Sequence, residues 1–441
     1  MKTKCTDKVL WSRFSLAPLL ALLTIQAAHL ALASQAPDPP ARAFVGARII
    51  DGRGGAPLAD GVLIVRRGRI EAIGSSGSVR IPSDAARVDL AGKTVIPGLI
   101  NAHGHVGAAR GLQAGPEVYT RDNVVEQLRL YARYGVTTVA SLGGDLKAGF
   151  EVRDAQETAE LNRSRIFVAG AVVTADTPEE ARRKVRELAA QRVDFVKIRV
   201  DDNLGSTPKM SPDVYRAVID EAHRSGLRVA AHLFYLEDAK GLLRAGVDFI
   251  AHSVRDRAVD AELIALLKRR DVCVCPTLTR EISTFVYEDT PAFFSDPFFL
   301  READPKVLDQ LKEPRRQAEY RASASAQRYK KALEVASRNL KVLAEAGISI
   351  AFGTDSGPPA RFQGYFEHLE LELMAKAGLT PTQILASATG VAARCLKLDA
   401  RLGTLERGKW ADFVVVAADP LANIMNARRI ESVWIAGNRV P

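Results

Sequence analysis

The sequence predicts an α/β protein: a parallel (β/α)8 barrel of the TIM type, joined to a small sheet domain assembled from both chain ends. Three observations carry this expectation. Eight short β-rich runs alternate with helix-like segments between residues 94 and 355, the pattern of a parallel sheet. Segments between them open with helix-start signals, as in "TPEE" and "SPDV". Both chain ends share a texture of short alternating runs and Gly-containing turns that the middle lacks. A doubly wound open sheet is the alternative, but it would usually carry a Gly-rich phosphate loop, and none is found.

In chain order, Lys2, Lys4, Lys8 and Arg13 precede an apolar stretch from Leu16 to Ala33, and Ala31-Leu32-Ala33 fits the small-x-small cleavage rule. Thr24, Gln26 and His29 interrupt that stretch and the Pro-rich "QAPDPPAR" follows it, which favours an export signal over residues 1–33 against a membrane anchor. Cleavage near Ala33 would send the mature chain to the periplasm or outside the cell, with no stable membrane anchor. No later stretch is apolar enough to span a bilayer.

Residues 41–93 read as strands and turns: "VLIVRRGRIEAIG" alternates and reverses at Arg67-Gly68. The segments "LGTLERGKWADFVVVAADP" and "RIESVWIAGNRV" repeat this over 401–441. Between them, 94–400 holds the eight runs, at 94–103, 136–143, 165–173, 194–200, 228–234, 248–254, 272–278 and 349–355. One connection, 279–347, is far longer than an ordinary loop. Its first half carries Phe285, Tyr287, Phe293, Phe294, Phe298 and Phe299 and is either a lid or outer packing. Its second half, "PRRQAEYRASASAQRYKKALEVASRNLKVLAEAG", reads as one long charged helix.

Composition sets bounds. The 441 residues are 47% hydrophobic, enough for a large core. The formal charge of +9 falls to +6 without the signal, which takes four basic residues and Asp7 with it. With no dense basic run interleaved with aromatics, nucleic-acid binding is not expected. Cys5 also leaves, so Cys273, Cys275 and Cys395 remain. Cys273 and Cys275 would stand about 7 Å apart along a strand, too far for an unstrained disulfide. Buried apolar thiols are expected.

The polar outliers on those runs are informative. In "VIPGLINAHGHV", His103 and His105 end the first run; Lys197 lies in the fourth, "FVKIRV". His232 ends the fifth, His252 the sixth, and Asp355 the eighth, in "GTDSG". Barrel sites form at the C-terminal strand ends, and four of the six histidines left after the signal stand there. Each has a bland alternative: a hydrogen-bonded core histidine, a Lys197 bridge to Asp201 or Asp202, an Asp355 turn cap. His223 and His368 fall in helix-like segments as surface or core residues.

On "PGLINAHGH", the downstream histidines, "GTDSG" and "GTLERGKWADFVVV", the chain resembles the amidohydrolase superfamily, in its imidazolonepropionase-like and prolidase-like branch. That resemblance implies a (β/α)8 barrel with a small β-sandwich from both ends. It also implies two divalent metal ions, zinc being the expected choice, bridged by a carboxylated Lys197. By the same resemblance His103, His105 and Asp355 would hold one ion and His232 and His252 the other, sharing a hydroxide that attacks a carbonyl carbon. Asp355 would move its proton to the departing nitrogen. Lys197 and the signal argue against a true imidazolonepropionase. The expected activity is hydrolysis of a C–N bond in a small molecule such as a dipeptide or N-acyl amino acid. Lactone or ester hydrolysis, and a catalytically silent binding or scaffold protein, are the alternatives. Arg199, on the face of Lys197, and Arg255, three residues past His252, are candidates for a substrate carboxylate, or for a salt bridge of Arg255 to Asp256 or Asp260. Tyr235 is a candidate donor to the scissile carbonyl. The partner is a small molecule, and homo-oligomerisation is left open.

Overall fold

The computed structural model describes residue 1 and residues 39–441; the expected export signal lies outside the described residues. The unit Ala41–Pro441 contains every element below. Its two ends meet in one sheet. Leu58–Arg66 and Arg69–Ser75 form an antiparallel hairpin, reversed at Arg67 and Gly68 with φ of 51° and 75°, as a two-residue turn between right-twisted strands requires. Arg42–Ile49 and Thr94–Pro97 continue the sheet into Phe413–Val416, Ile430–Ile435 and Asn438–Arg439, while Ala86–Asp89 pairs with Arg42–Ile49. By hydrogen bonding this is a single eight-stranded sheet. Phe44, Phe413 and Trp434 pack together at its core.

The middle of the chain is parallel. Strands β1 (Leu99–Gly104), β2 (Val136–Ser141) and β3 (Arg165–Val168) form one sheet, in the order β3-β2-β1. Strands β4 (Val196–Arg199), β5 (Val229–His232), β6 (Phe249–Ile250) and β7 (Cys273–Val274) form another, in chain order. Parallel bridges join Val173 to Ile198, Val274 to Ile350 and Gly104 to Ser356. One buried cluster takes residues two apart from several of these segments, including Ile100 and Ala102, Phe167 and Ala169, Phe249 and Ala251, and Cys273 and Cys275. Such spacing is that of one strand face.

Helices between the strands start where their signals stand. Thr177 caps Pro178–Ala190 by accepting from the Glu180 N–H, and Ser211 caps Pro212–Arg224 by accepting from Val214. Their apolar faces, with Val185, Leu188, Val214 and Val218, join the main core. Among the described residues no helix is long and apolar enough to cross a membrane.

Two expectations are corrected and one open alternative is decided. The charged half of the long connection is two helices, Pro314–Ala322 and Ala324–Glu345, because Ser323 leaves helical geometry and its hydroxyl accepts from the Ala326 N–H. Its aromatic half is packing: Tyr287, Phe294 and Phe299 are buried with Tyr134, Tyr365 and Phe366. Finally, Cys273 is bonded to Cys395, 122 residues away, with Cα atoms 5.9 Å apart; Cys275 alone remains a buried thiol. The bond ties β7 to the short helix Ala392–Cys395. Closing so long a loop restricts the unfolded chain, by about 5 kcal/mol at this separation in the chain-entropy account. Reduction, or Cys395→Ser, is therefore expected to lower the urea midpoint of an otherwise unchanged protein, whereas equal midpoints with and without reductant would remove that stabilisation.

Candidate active site

The six polar side chains selected from the β-rich runs come together. Nε2 of His105 lies 2.9 Å from Oδ1 of Asp355, and Nε2 of His103 lies 3.6 Å from the same oxygen. These three residues form a group with all ligand atoms within 4.8 Å of one another. The Lys197 Nζ is 3.1 Å from His103 Nε2. The His103 ring sits 4.6 Å from that of His252, which sits 4.2 Å from that of His232.

Backbone and hydroxyl groups behind the rings set their orientation. Nδ1 of His103 donates to the Ala251 carbonyl and Nδ1 of His105 to the Gly143 carbonyl, each at 2.8 Å. Nδ1 of His252 is 2.7 Å from Thr277 Oγ1. A proton fixed on Nδ1 leaves the Nε2 lone pair free, the state a metal ligand needs. Burial, with the nearby Lys197 ammonium, holds His103 well below the usual histidine range. Burial and the neighbouring His232 do the same for His252. His232 falls to about 4, because burial outweighs the opposing pull of Asp201. All three are therefore neutral at pH 7.

The acid is built with equal care. Asp355 has a left-handed φ of 58°, and its neighbours Thr354 and Ser356 both donate to the buried Glu367 carboxylate at 2.6 Å. The flanking glycines have steric reasons. A Cβ at Gly353 would fall 2.5 Å from Cys275 Sγ and 2.8 Å from the His103 nitrogen, and one at Gly357 would fall 2.0 Å from the His105 carbonyl oxygen. Burial works against ionising Asp355, but Arg361, His103 and His105 outweigh it and hold the carboxyl well below its ordinary range. Lys197 is pulled down to about 8 by burial, against the opposing charges of Asp355 and Cys275.

The donor set fits a divalent cation. Nε2 of His252 is buried and without a hydrogen-bond partner. Nε2 of His232 is 2.7 Å from Asp201 Oδ2 yet off hydrogen-bond geometry. Buried polar atoms ordinarily find partners, so orphaned imidazole nitrogens in this cluster are suited to holding a cation. Nitrogen and carboxylate donors suit zinc and similar ions.

The second tier of candidates is placed differently. Arg255 is fully buried, donates to the Leu233 and Ser253 carbonyls at 2.8 Å, and stands 3.0 Å from Glu281. Its acid is thus Glu281, from the start of the long connection, and not Asp256 or Asp260, which turn to Arg257 and Lys240. Arg199 pairs with Asp201 at 3.3 Å. The Tyr235 hydroxyl donates to Asp202 at 2.8 Å, and the Lys209 ammonium lies 3.8 Å above its ring. His223 pairs with Asp248, and the buried His368 bonds to the Tyr134 carbonyl, both outside the site.

Four residues escaped sequence reasoning: Asp201 as a neighbour of His232, Glu281 beside Arg255, Glu367 behind Asp355, and Arg361, whose Nη1 is 2.6 Å from Asp355 Oδ2. Asp201 carried a weak signal, standing four residues past Lys197 near the mouth of the same strand. The other three arrive from segments whose position a local pattern does not reveal.

A family model for the amidohydrolase family matches residues 94–440. An uncharacterized protein of Mycobacterium tuberculosis is 29% identical over 197 residues, covering 42% of this chain and 51% of that protein. Ochratoxinase of Aspergillus niger is 25% identical over 281 residues, covering 61% of this chain and 51% of that enzyme. The chain spans about half the length of these curated relatives. Among solved structures, one described as a prolidase from Bifidobacterium longum matches with a TM-score of 0.73 at 28% identity, over 92% of this chain and 95% of that chain.

Proposed function

The chain belongs to the amidohydrolase family, and from that premise we propose that it is a metal-dependent hydrolase of a C–N bond in a dipeptide or N-acyl amino acid. The supporting observation is the convergence of His103, His105, Lys197, His232, His252 and Asp355, with imidazole nitrogens that lack protein partners. We read the three parallel bridges as closing β1 to β7 and the 349–356 segment into one (β/α)8 barrel, and the sheet from both ends as the flanking β-sandwich domain. The Cys273–Cys395 bond supports an exported, oxidising location.

His103, His105 and Asp355 would hold one ion and His232 and His252 the other. Lys197, its neutral nitrogen adding carbon dioxide and releasing a proton, would stand between them as a carbamate. A zinc-type pair supplies a nucleophilic oxygen from water at neutral pH and polarises the scissile carbonyl. Asp355, ionised at neutral pH, takes the proton released from that water. It delivers the proton to the leaving nitrogen, since an unprotonated amine leaves poorly. Arg199 and Tyr235, anchored by Asp201 and Asp202, line the approach. Arg255, braced by Glu281, fixes the floor beside His252.

Purified protein is expected to carry about two metal equivalents per chain, to hydrolyse members of a dipeptide and N-acyl amino acid library, and to lose turnover on chelation and regain it with zinc. A lactone and ester panel run alongside separates amide from ester chemistry. A well-folded chain that binds no metal from a zinc-containing buffer would instead be a silent scaffold.

A further inference from the structure

The two oxygens of Asp355 face different neighbours. Oδ1 points at the Nε2 atoms of His105 and His103. Oδ2 is 2.6 Å from Nη1 of Arg361, and the same nitrogen donates to the Asp355 carbonyl at 3.3 Å. The oxygen left over from the ligand cluster, where a shuttled proton would ride, is therefore capped by a cation. An oxygen engaged in so short a charge-assisted bond has one lone pair fewer open to a proton from water.

Arg361 has capacity to spare. Among the described residues it donates to nothing but Asp355, so the hydrogens on Nε and Nη2 have no protein acceptor out of five available. Its side chain is 19% exposed. Its backbone is fixed: the Gly357 N–H donates to the Arg361 carbonyl and the Arg361 N–H to the Pro358 carbonyl, each at 3.0 Å. The buried Tyr287 hydroxyl bonds to the Ala360 carbonyl from behind. Of the other site arginines, Arg255 is closed off from solvent and held by two carbonyls beside Glu281, and Arg199 is turned to Asp201 through two nitrogens, away from Asp355. Arg361 alone of these three combines unused donors, access to solvent and contact with the reacting carboxylate.

We propose that Arg361 recognises the free carboxylate of the substrate and, in moving to it, uncaps Asp355. The claim rests on the hydrolase reading above and deepens it, by naming the residue that reads the free carboxylate next to the scissile nitrogen of such substrates. Exchanging one carboxylate for another on a guanidinium conserves the type of bond, so recognition and release of the base are one event. Neutral amides and esters leave the cap in place and react slowly.

The test compares N-acetyl-leucine with N-acetyl-leucinamide on metal-loaded wild type, Arg361→Ala and Arg361→Lys, and measures binding of leucine and leucinamide by calorimetry. Wild type is expected to bind leucine at least about tenfold more tightly than leucinamide, with the preference falling to near unity in Arg361→Ala and partly kept in Arg361→Lys. In turnover, Arg361→Ala raises KM for the carboxylate and raises kcat for the amide. A merely structural defect would lower kcat for both. A preference for leucine that survives in Arg361→Ala, or an amide kcat that falls in step with the carboxylate kcat, overturns the proposal. If wild type hydrolyses neither compound, the hydrolase reading has failed for this substrate class, and the calorimetry still decides whether Arg361 selects carboxylates.

Discussion

Asp355→Asn will keep the fold and lower kcat by about a thousandfold or more. The substitution preserves shape and removes one charge. Asparagine accepts the left-handed φ of 58° at this position more readily than most residues. The Glu367 carboxylate would still receive Thr354, Ser356 and the Asn101 amide, so the strand end stays in place. What disappears is chemical. A neutral amide neither carries a proton between water and leaving nitrogen nor balances Arg361, and its oxygen is a weaker metal donor. The measurement is kcat on the best substrate of the library, with thermal melts of both proteins. Turnover within tenfold of wild type would show that proton transfer runs through another group, and the assignment of Asp355 as base and acid would fall.

Much of this was legible in the sequence because it is local. The period-two runs at both ends mark strands of one sheet, and "TPEE" and "SPDV" mark first turns of helices. The six site residues stand out because five of them end otherwise apolar runs and Lys197 interrupts one, and position within a run is a local property. What escaped is set by distance along the chain. Cys395 meets Cys273 across 122 residues. Spacing rules excluded the neighbouring pair, Cys273 and Cys275, but said nothing of a remote partner. Glu281 reaches Arg255 from the short helix that directly follows β7, whereas the nearer acids Asp256 and Asp260 are drawn to other cations. Ser323 breaks a helix that composition alone would have continued. Arg361 follows "GTDSG" in an ordinary-looking loop, and only its side-chain direction makes it notable.

Lys197→Met is expected to abolish metal bridging and yet stabilise the metal-free protein. The ammonium is completely enclosed, and burial depresses it from 10.5 to about 8, with Asp355 and Cys275 opposing. Below pH 8 the folded chain keeps the charge at full desolvation cost. Between about 8 and 10.5 the folded chain sheds a proton that the unfolded chain still holds, so stability rises with pH across that window; above it the cost is gone. At about 1.4 kcal/mol per pH unit, the cost at pH 7 is about 3 kcal/mol. Methionine fills a similar volume with no charge, so urea denaturation of chelated protein should find Lys197→Met more stable by about that amount at pH 7, and by little at pH 10.5. Metal analysis of the same variant should fall from about two equivalents to one or fewer, with turnover lost. A variant that is less stable at pH 7, or that keeps both ions, would mean the lysine is a structural cation satisfied by its neighbours. The predicted combination separates the two roles because no purely structural lysine is removed with a gain in folding and a loss of metal. A group that weakens the empty protein at the centre of its site belongs there for what it does when the site is filled.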